Sequence, residues 1–209
     1  MTPKENKKLV VAKLKWLKAK GFSRLCNVDD IRAVCMHVDK MSDDRPLDGI
    51  IEIGSYMGAM LFVLSHYLKP NGTVISVDLG RCLHGKRKGK NHTARLQRMI
   101  EFLGERGYDA HLCLGRSDDQ LDEVRKLARA KTIDILHVDG GHDYETVKHD
   151  FEHYGPMIRA GGAAFLHDVN NDKCTVPKFW RELGEARKGE RMHMFGQPDN
   201  WPGMGVVEL

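Results

Sequence analysis

The stretch from Ile133 to Asn170, IDILHVDGGHDYETVKHDFEHYGPMIRAGGAAFLHDVN, restricts what this chain can fold into more than any other. It reads as strand, polar turn, amphipathic helix, glycine turn and second strand, and Asp139 and Asp168 each stand where an apolar run stops. The run from Ile133 to Val138 suits a strand buried on both faces, the kind found in parallel sheets with helical crossovers. Tyr144, Val147, Phe151, Tyr154 and Ile158 form the sheet-facing stripe of the helix, with Pro156 kinking or shortening its end. Gly161 and Gly162 then turn the chain into a strand from Ala163 to Leu166.

Asp139 and Asp168 are 29 residues apart, but neighbouring parallel strands would bring them to one sheet edge, where open α/β sheets bind ligands. Two carboxylates there suit Mg²⁺ or another hard divalent ion; otherwise Asp139 caps the next helix and Asp168 bonds a turn. His142 is offered by a glycine turn, and a neutral imidazole accepts a proton well near neutral pH, so it is the candidate general base, with a structural or exposed role as the other reading. His167 is read as a metal ligand, as a hydrogen-bond partner of Asp168, or as chemically idle. His137, inside the strand, reads as a satisfied core residue, and His149 and His153 as solvent-facing positions on the helix.

A second strand-helix-strand unit precedes this one. Gly49 to Ser55 is a short apolar run ending in a glycine turn, Met57 to Leu68 a helix, and Thr73 to Gly80 a strand with Asp78 at its carboxyl end. An acid in that place accepts hydrogen bonds from ribose hydroxyls in nucleotide-binding units. The glycines spell GSYMG and not GxGxxG, so the pyrophosphate cradle of a nicotinamide-dependent oxidoreductase is missing. Glu52, pointing into the site, would repel phosphates and attract a sulfonium or an amino group. A third strand, Ala110 to Leu114, is followed by Ser117 and Asp118, placed to meet an adenine edge.

The 209 residues are long enough for one well-buried domain, with residues 1–45 as an N-terminal helical segment and 49–209 as the core. Residues 4 to 20 and 28 to 42 read as helices, the first capped by Gly21 and the second opened by Asp29 and Asp30. The net charge of +4 is unevenly placed: residues 1–20 carry +6 and residues 81–92 carry +5, which leaves −7 for the rest. Two basic segments therefore decorate an acidic domain. They admit an anionic substrate, a membrane surface or a nucleic acid, though no stacking aromatics interleave with the lysines. Five scattered cysteines without a CxxC pair fit reduced thiols and not a disulfide framework or a zinc cage. No apolar run reaches the length of a membrane span and no secretory leader is visible, so a cytoplasmic location is expected, with association into a homo-oligomer left open.

EIGSYMG, the acid of VISVDLG, HVDGGHDYETV and RAGGAAFLHDV together resemble a class I S-adenosylmethionine-dependent methyltransferase. DGGH followed by LHD is similar to the metal-dependent O-methyltransferases that include macrolide-sugar methyltransferases and cephalosporin-hydroxylase-like proteins. The resemblance implies a three-layer αβα, Rossmann-like fold with a seven-stranded, mostly parallel sheet and an antiparallel last strand. A terminal hairpin of Met192 to Phe195 and Met204 to Leu209 around a PDNWPG turn is read independently from the residues. It implies S-adenosylmethionine at Glu52, Gly54, Ser55, Gly58, Asp78, Ser117, Asp118 and Asp139, metal at Asp139, Asp168 and His167, and His142 as the base. The expected acceptor is a small-molecule or sugar hydroxyl; a nucleic-acid methyltransferase and a non-catalytic S-adenosylmethionine-binding protein are the alternatives. His167 stands where the macrolide-sugar enzymes have a carboxylate, and Val169 where catechol-type relatives have an Asn.

Overall fold

The computed structural model describes residues 3–22, 27–43, 45–83, 88–189, 191–195 and 202–209. Two helices come first, α1 (Pro3–Ala19) and α2 (Val28–Met41). α1 ends on Gly21 at φ +82°, where Gly21 N donates to Lys18 O and Phe22 N to Leu17 O, the paired bonds of a Schellman end. α2 opens on a capping box: Asn27 accepts from the Asp29 amide at 2.6 Å and Asp30 from the Asn27 amide at 2.9 Å.

The alternating part follows, with strands β1 (Leu47–Ile53), β2 (Leu68–Asp78), β3 (Asp109–Leu114), β4 (Ile133–Val138) and β5 (Ile158–His167). The helices between and after them are α3 (Ala59–Ser65), α4 (Thr93–Glu105), α5 (Ser117–Ala128), α6 (Tyr144–Tyr154) and α7 (Val176–Ala186). β6 (Met192–Phe195) and β7 (Met204–Glu208) close the chain. The strands make one sheet of seven in the order β3-β2-β1-β4-β5-β7-β6. β1 to β5 pair in parallel, and β7 runs antiparallel to both β5 and β6. The order reverses between β1 and β4, which opens a crevice at the carboxyl edge.

Helices α1 to α4 cover one face, on a core that includes Val34, Leu61, Leu64, Ile50 and Phe165. Helices α5 to α7 cover the other, over Ile51, Ile75, Leu136, Val124 and Phe179. Each fully buried aliphatic side chain of this kind contributes roughly 1.5–3 kcal/mol. No helix among the described residues is long and apolar enough to cross a membrane.

Several expectations shift. β2 starts at Leu68, not Thr73, because the chain leaves α3 early and passes Asn71 at φ 60° before Thr73 pairs with Gly49. Gly161 and Gly162 do not precede the fifth strand but lie within β5, where the register slips between Ile133 and Ile135. A side chain on Gly162 would meet Asp134 O at 2.6 Å, and Gly161 N donates to Leu209 O at 2.7 Å, so the bulge is pinned on both sides. α6 stops at Tyr154, and Pro156 lies in the 3-10 turn that follows. Cys35 and Cys113 are buried, both as free thiols, and Cys82 and Cys174 are half-buried, while Cys26 and most of the PDNWPG turn lie outside the described residues.

The buried β4 also holds polar groups. Asp134, at its amino end, accepts from Arg45 Nη2 at 2.7 Å, Arg159 Nε at 2.5 Å and the Asp48 amide at 2.5 Å, tying β1, β4 and β5 together opposite the crevice.

Candidate functional site

Side chains alternate faces along a strand, so registered residues form rows. Ile50, Ile135 and Ala163 make one row on the face under α2 and α3, and Glu52, His137 and Phe165 the next toward the carboxyl edge. Asp139 and His167 lie two residues further and continue that face. The polar site is thus the top of a column whose lower rows are core.

Gly54 permits the first turn. It has φ +86°, and a Cβ there would lie 2.1 Å from Asp139 O. Its amide donates to Val77 O and the Asp139 amide to Ile53 O, each at 2.8 Å, which binds the ends of β1, β2 and β4. Tyr56, a non-glycine residue at φ 54°, turns its amide onto Asp78 Oδ2 at 2.8 Å. Asp78 Oδ1 accepts from the Gly80 amide at 2.6 Å and meets His92 Nε2 at 2.8 Å. A cavity runs from this carboxylate over Gly54 to Ser117 and along Asp139 to His142.

Glu52, Ser55 and Gly58 do not line that cavity. Glu52 is expected to point into the site, but the two-residue alternation turns it into the core, where Oε1 meets His137 Nδ1 at 2.9 Å. Glu52 Oε2 and His137 Nε2 have no hydrogen-bond partner among the described residues. Burial pushes the Glu52 carboxyl pKa up, and the His137 hydrogen bond offsets part of this. Ser55 accepts from Ser76 at 2.8 Å, and Gly58 gives α4 room, since a Cβ would meet Met99 Cγ at 2.5 Å. Asp118 is exposed and held by Arg116 at 2.9 Å, away from the cavity that its neighbour Ser117 lines.

At the other end one ligand atom each of Asp139, His142 and Asp168 lies within 4.8 Å of the others. Asp168 has φ 64°, which swings its carboxylate back toward β4, and Asn171 Nδ2 donates to it at 3.0 Å. His142 Nδ1 is hydrogen-bonded to Asp168 Oδ2. That bond raises the His142 pKa against its burial. Burial pushes the Asp168 carboxyl up, but the His142 hydrogen bond and the neighbouring His167 imidazole hold it well below the usual carboxylate range.

His167 Nδ1 lies 3.0 Å from Asp139 Oδ1 and 3.4 Å from Asp168 Oδ1, yet is in hydrogen-bonding geometry with neither. Its Nε2 faces Asp30 Oδ2 of α2 at 3.3 Å. Burial opposes a charge on this imidazole, but the three carboxylates overcome it and raise the pKa well above the ordinary value. Two carboxylates that converge with an imidazole, as Asp139, Asp168 and His142 do, fit a divalent cation by their chemistry.

Two further residues escaped the sequence reading. Asp30 reads as a helix cap and is one, but the packing of α2 also carries it to His167. His92 closes the 81–92 loop: its amide donates to Gly80 O at 2.8 Å, and its ring sits edge-on to Tyr56. The only sequence signal was its place directly before α4.

A family model described as a methyltransferase domain matches residues 51–169, from β1 through Val169. The uncharacterized protein y4gI of Sinorhizobium fredii is 38% identical over 71 residues, which span 33% of this chain and 7% of that protein. Among solved structures, the O-methyltransferase TomG of Streptomyces achromogenes, in complex with SAM, aligns with a TM-score of 0.64 at 13% identity, over 96% of this chain and 89% of its own. An O-methyltransferase from Bacillus cereus, in complex with SAH, aligns with a TM-score of 0.63 at 15% identity, over 96% of this chain and 90% of its own. A calicheamicin methyltransferase gives 0.63 at 14% identity, over 98% and 91%. At these identities the neighbours establish the fold, and the sheet order seen here agrees with it. The family match covers more than half of the chain, both strand-helix-strand units and both acidic strand ends, and the chain belongs to the methyltransferase-domain family.

Proposed function

We propose that this methyltransferase uses S-adenosylmethionine to methylate a hydroxyl of a small molecule, a glycoside or an anionic compound, with a divalent ion beside the acceptor. The observation that carries the proposal is the cluster of Asp139, His142 and Asp168, of which Asp139 and His142 line the cavity that also runs along the Gly54 turn and Asp78, with Asp168 buried behind them. S-adenosylmethionine supplies a methyl on a sulfonium, which departs as a neutral thioether and needs no acid. A divalent ion held by Asp139 and Asp168, with His167 as the third neighbour, supplies charge stabilisation to a hydroxyl that is losing its proton.

The chain's own residues do the rest. Asp78 keeps an acceptor position on Oδ2 for a ribose hydroxyl, since its hydrogen-bond partners among the described residues occupy Oδ1 twice and Oδ2 once. Asp168 holds His142 by Nδ1, which fixes the ring and directs Nε2 to take the acceptor's proton. Most of the rate then comes from positioning.

Calorimetry with S-adenosylhomocysteine and with NAD, each with and without Mg²⁺, tests this. S-adenosylhomocysteine is expected to bind and NAD not; tighter NAD binding overturns the cofactor. Mg²⁺ binding that survives in Asp139→Ala/Asp168→Ala overturns the metal seat. With an accepting hydroxyl compound, His142→Gln is expected to lower kcat by about 10²–10⁴-fold at little cost in cofactor affinity.

A further inference from the structure

Asp139 and Asp168 have two imidazoles beside them, and the two are held differently. His142 Nδ1 is spent on Asp168 Oδ2. His167 Nδ1 is buried without a hydrogen-bond partner among the described residues, on a side chain only 10% exposed. It faces Asp139 Oδ1 at 3.0 Å and Asp168 Oδ1 at 3.4 Å. Neighbouring ligand atoms around an ion with bonds of about 2.0–2.2 Å stand about 3.0–3.5 Å apart, so both spacings suit a shared cation.

The other ring nitrogen explains why Nδ1 is turned that way. His167 Nε2 lies 3.3 Å from Asp30 Oδ2, and an Nε2–H that donates there leaves the lone pair on Nδ1. Ligation requires that lone pair, and a carboxylate on the far nitrogen both holds the ring and makes it a better donor. Asp30 is itself fixed. It is fully buried in the first turn of α2, and the same Oδ2 accepts from the Asn27 amide at 2.9 Å. It lies outside residues 51–169, the part that matches the family model, and reaches the site only through the packing of α2.

The donor set is then two carboxylates and one imidazole nitrogen. Carboxylates and water suit Mg²⁺, whereas an imidazole shifts a site toward borderline transition ions such as Co²⁺, Ni²⁺ and Zn²⁺.

We propose that Asp30 is a positioning residue that aims His167 Nδ1 at the metal seat, and that the nitrogen so placed makes the seat selective for a borderline transition ion over Mg²⁺. This rests on the proposed metal seat at Asp139 and Asp168. Asp30 does not touch the ion.

The test is calorimetry on the full chain with Co²⁺ and with Mg²⁺, the Asp139→Ala/Asp168→Ala protein serving as the blank for other histidines. Most sites bind Co²⁺ more tightly than Mg²⁺, so the readout is the change in the ratio of the two affinities. Asp30→Asn keeps an acceptor for the Asn27 amide but loses the charge behind His167. It is expected to weaken Co²⁺ by about 10–100-fold and Mg²⁺ by less than about 3-fold. His167→Asp should bring the two affinities within about 10-fold of each other. Asn27→Ala removes the acceptor of the Asp29 amide and leaves His167 alone, so Tm should fall with the ratio kept. A ratio that falls there as far as in Asp30→Asn would reduce Asp30 to a helix cap and overturn the inference. So would an Asp30→Asn protein that is folded by circular dichroism and keeps the wild-type ratio. Should that variant not fold, His167→Asp takes its place, and a kept ratio is equally fatal. A wild type that binds Mg²⁺ as tightly as Co²⁺ overturns the inference alone; one that takes up neither ion at Asp139 and Asp168 overturns the proposed metal seat as well.

Discussion

Glu52 shows how one side chain links the site to stability. Its carboxyl pKa is raised by burial, so the folded protein holds this proton better than the unfolded chain does. The sign follows: the group's contribution is full below the unfolded carboxyl value of about 4.3 and is lost as pH rises through the folded value. Glu52→Gln keeps an acceptor for His137 Nδ1 and removes that loss. Urea unfolding should find the variant more stable than wild type by about 1 kcal/mol at pH 8, with the gap closing toward pH 4. A gap independent of pH would mean that Glu52 does not titrate in this range. His92 works on a different quantity, because it shares Asp78 Oδ1 with the Gly80 amide. His92→Ala should weaken S-adenosylhomocysteine by about 5–10-fold, through looser placement of the carboxylate, with His92→Gln recovering part of it.

At the level of elements, the two edges of the sheet do separate jobs. The carboxyl edge is shaped by turns that tolerate no added atom. Gly54→Ala puts a Cβ onto the Asp139 backbone at a φ of +86°, and is expected to cost about 2–4 kcal/mol and to abolish cofactor binding. The amino edge is clamped by Asp134, which is fully buried while Arg45 and Arg159 are partly exposed. Asp134→Ala leaves two guanidinium groups and the Asp48 and Gly49 amides, the latter 3.2 Å from Asp134 Oδ2, short of an acceptor, and after allowing for solvent at the arginines should cost about 2–4 kcal/mol. Its affinity for S-adenosylhomocysteine should stay within a few-fold of wild type, since no part of the cavity rests on it. Thermal melts and calorimetry on the two variants together would separate the edges; a folded Asp134→Ala with lost binding would contradict this division.

For the molecule as a whole, ligand occupancy should appear as stability. S-adenosylhomocysteine at 100 times its Kd is expected to add about 2.7 kcal/mol and raise Tm by a few degrees, and Mg²⁺ should add a further rise in the wild type that Asp139→Asn/Asp168→Asn lacks. The polar ends of the strands, the helical stripes and the terminal hairpin were legible in the sequence because each is a local pattern of period two or 3.6, closed by glycines or acids. Ile133–Val138 was placed to the residue because its continuous apolar run stops at Asp139. What a local pattern leaves open is which face a strand presents and what packs above it. Glu52 looked like a site residue until the sheet register turned it toward His137, and Asp30 looked like a cap alone until α2 settled over β5. By itself the sequence determined the order of elements and the chemistry available at the carboxyl ends of the strands. Only the tertiary structure decided which of those groups converge, because the direction of a side chain is set by strand pairing and helix packing between residues far apart in the chain.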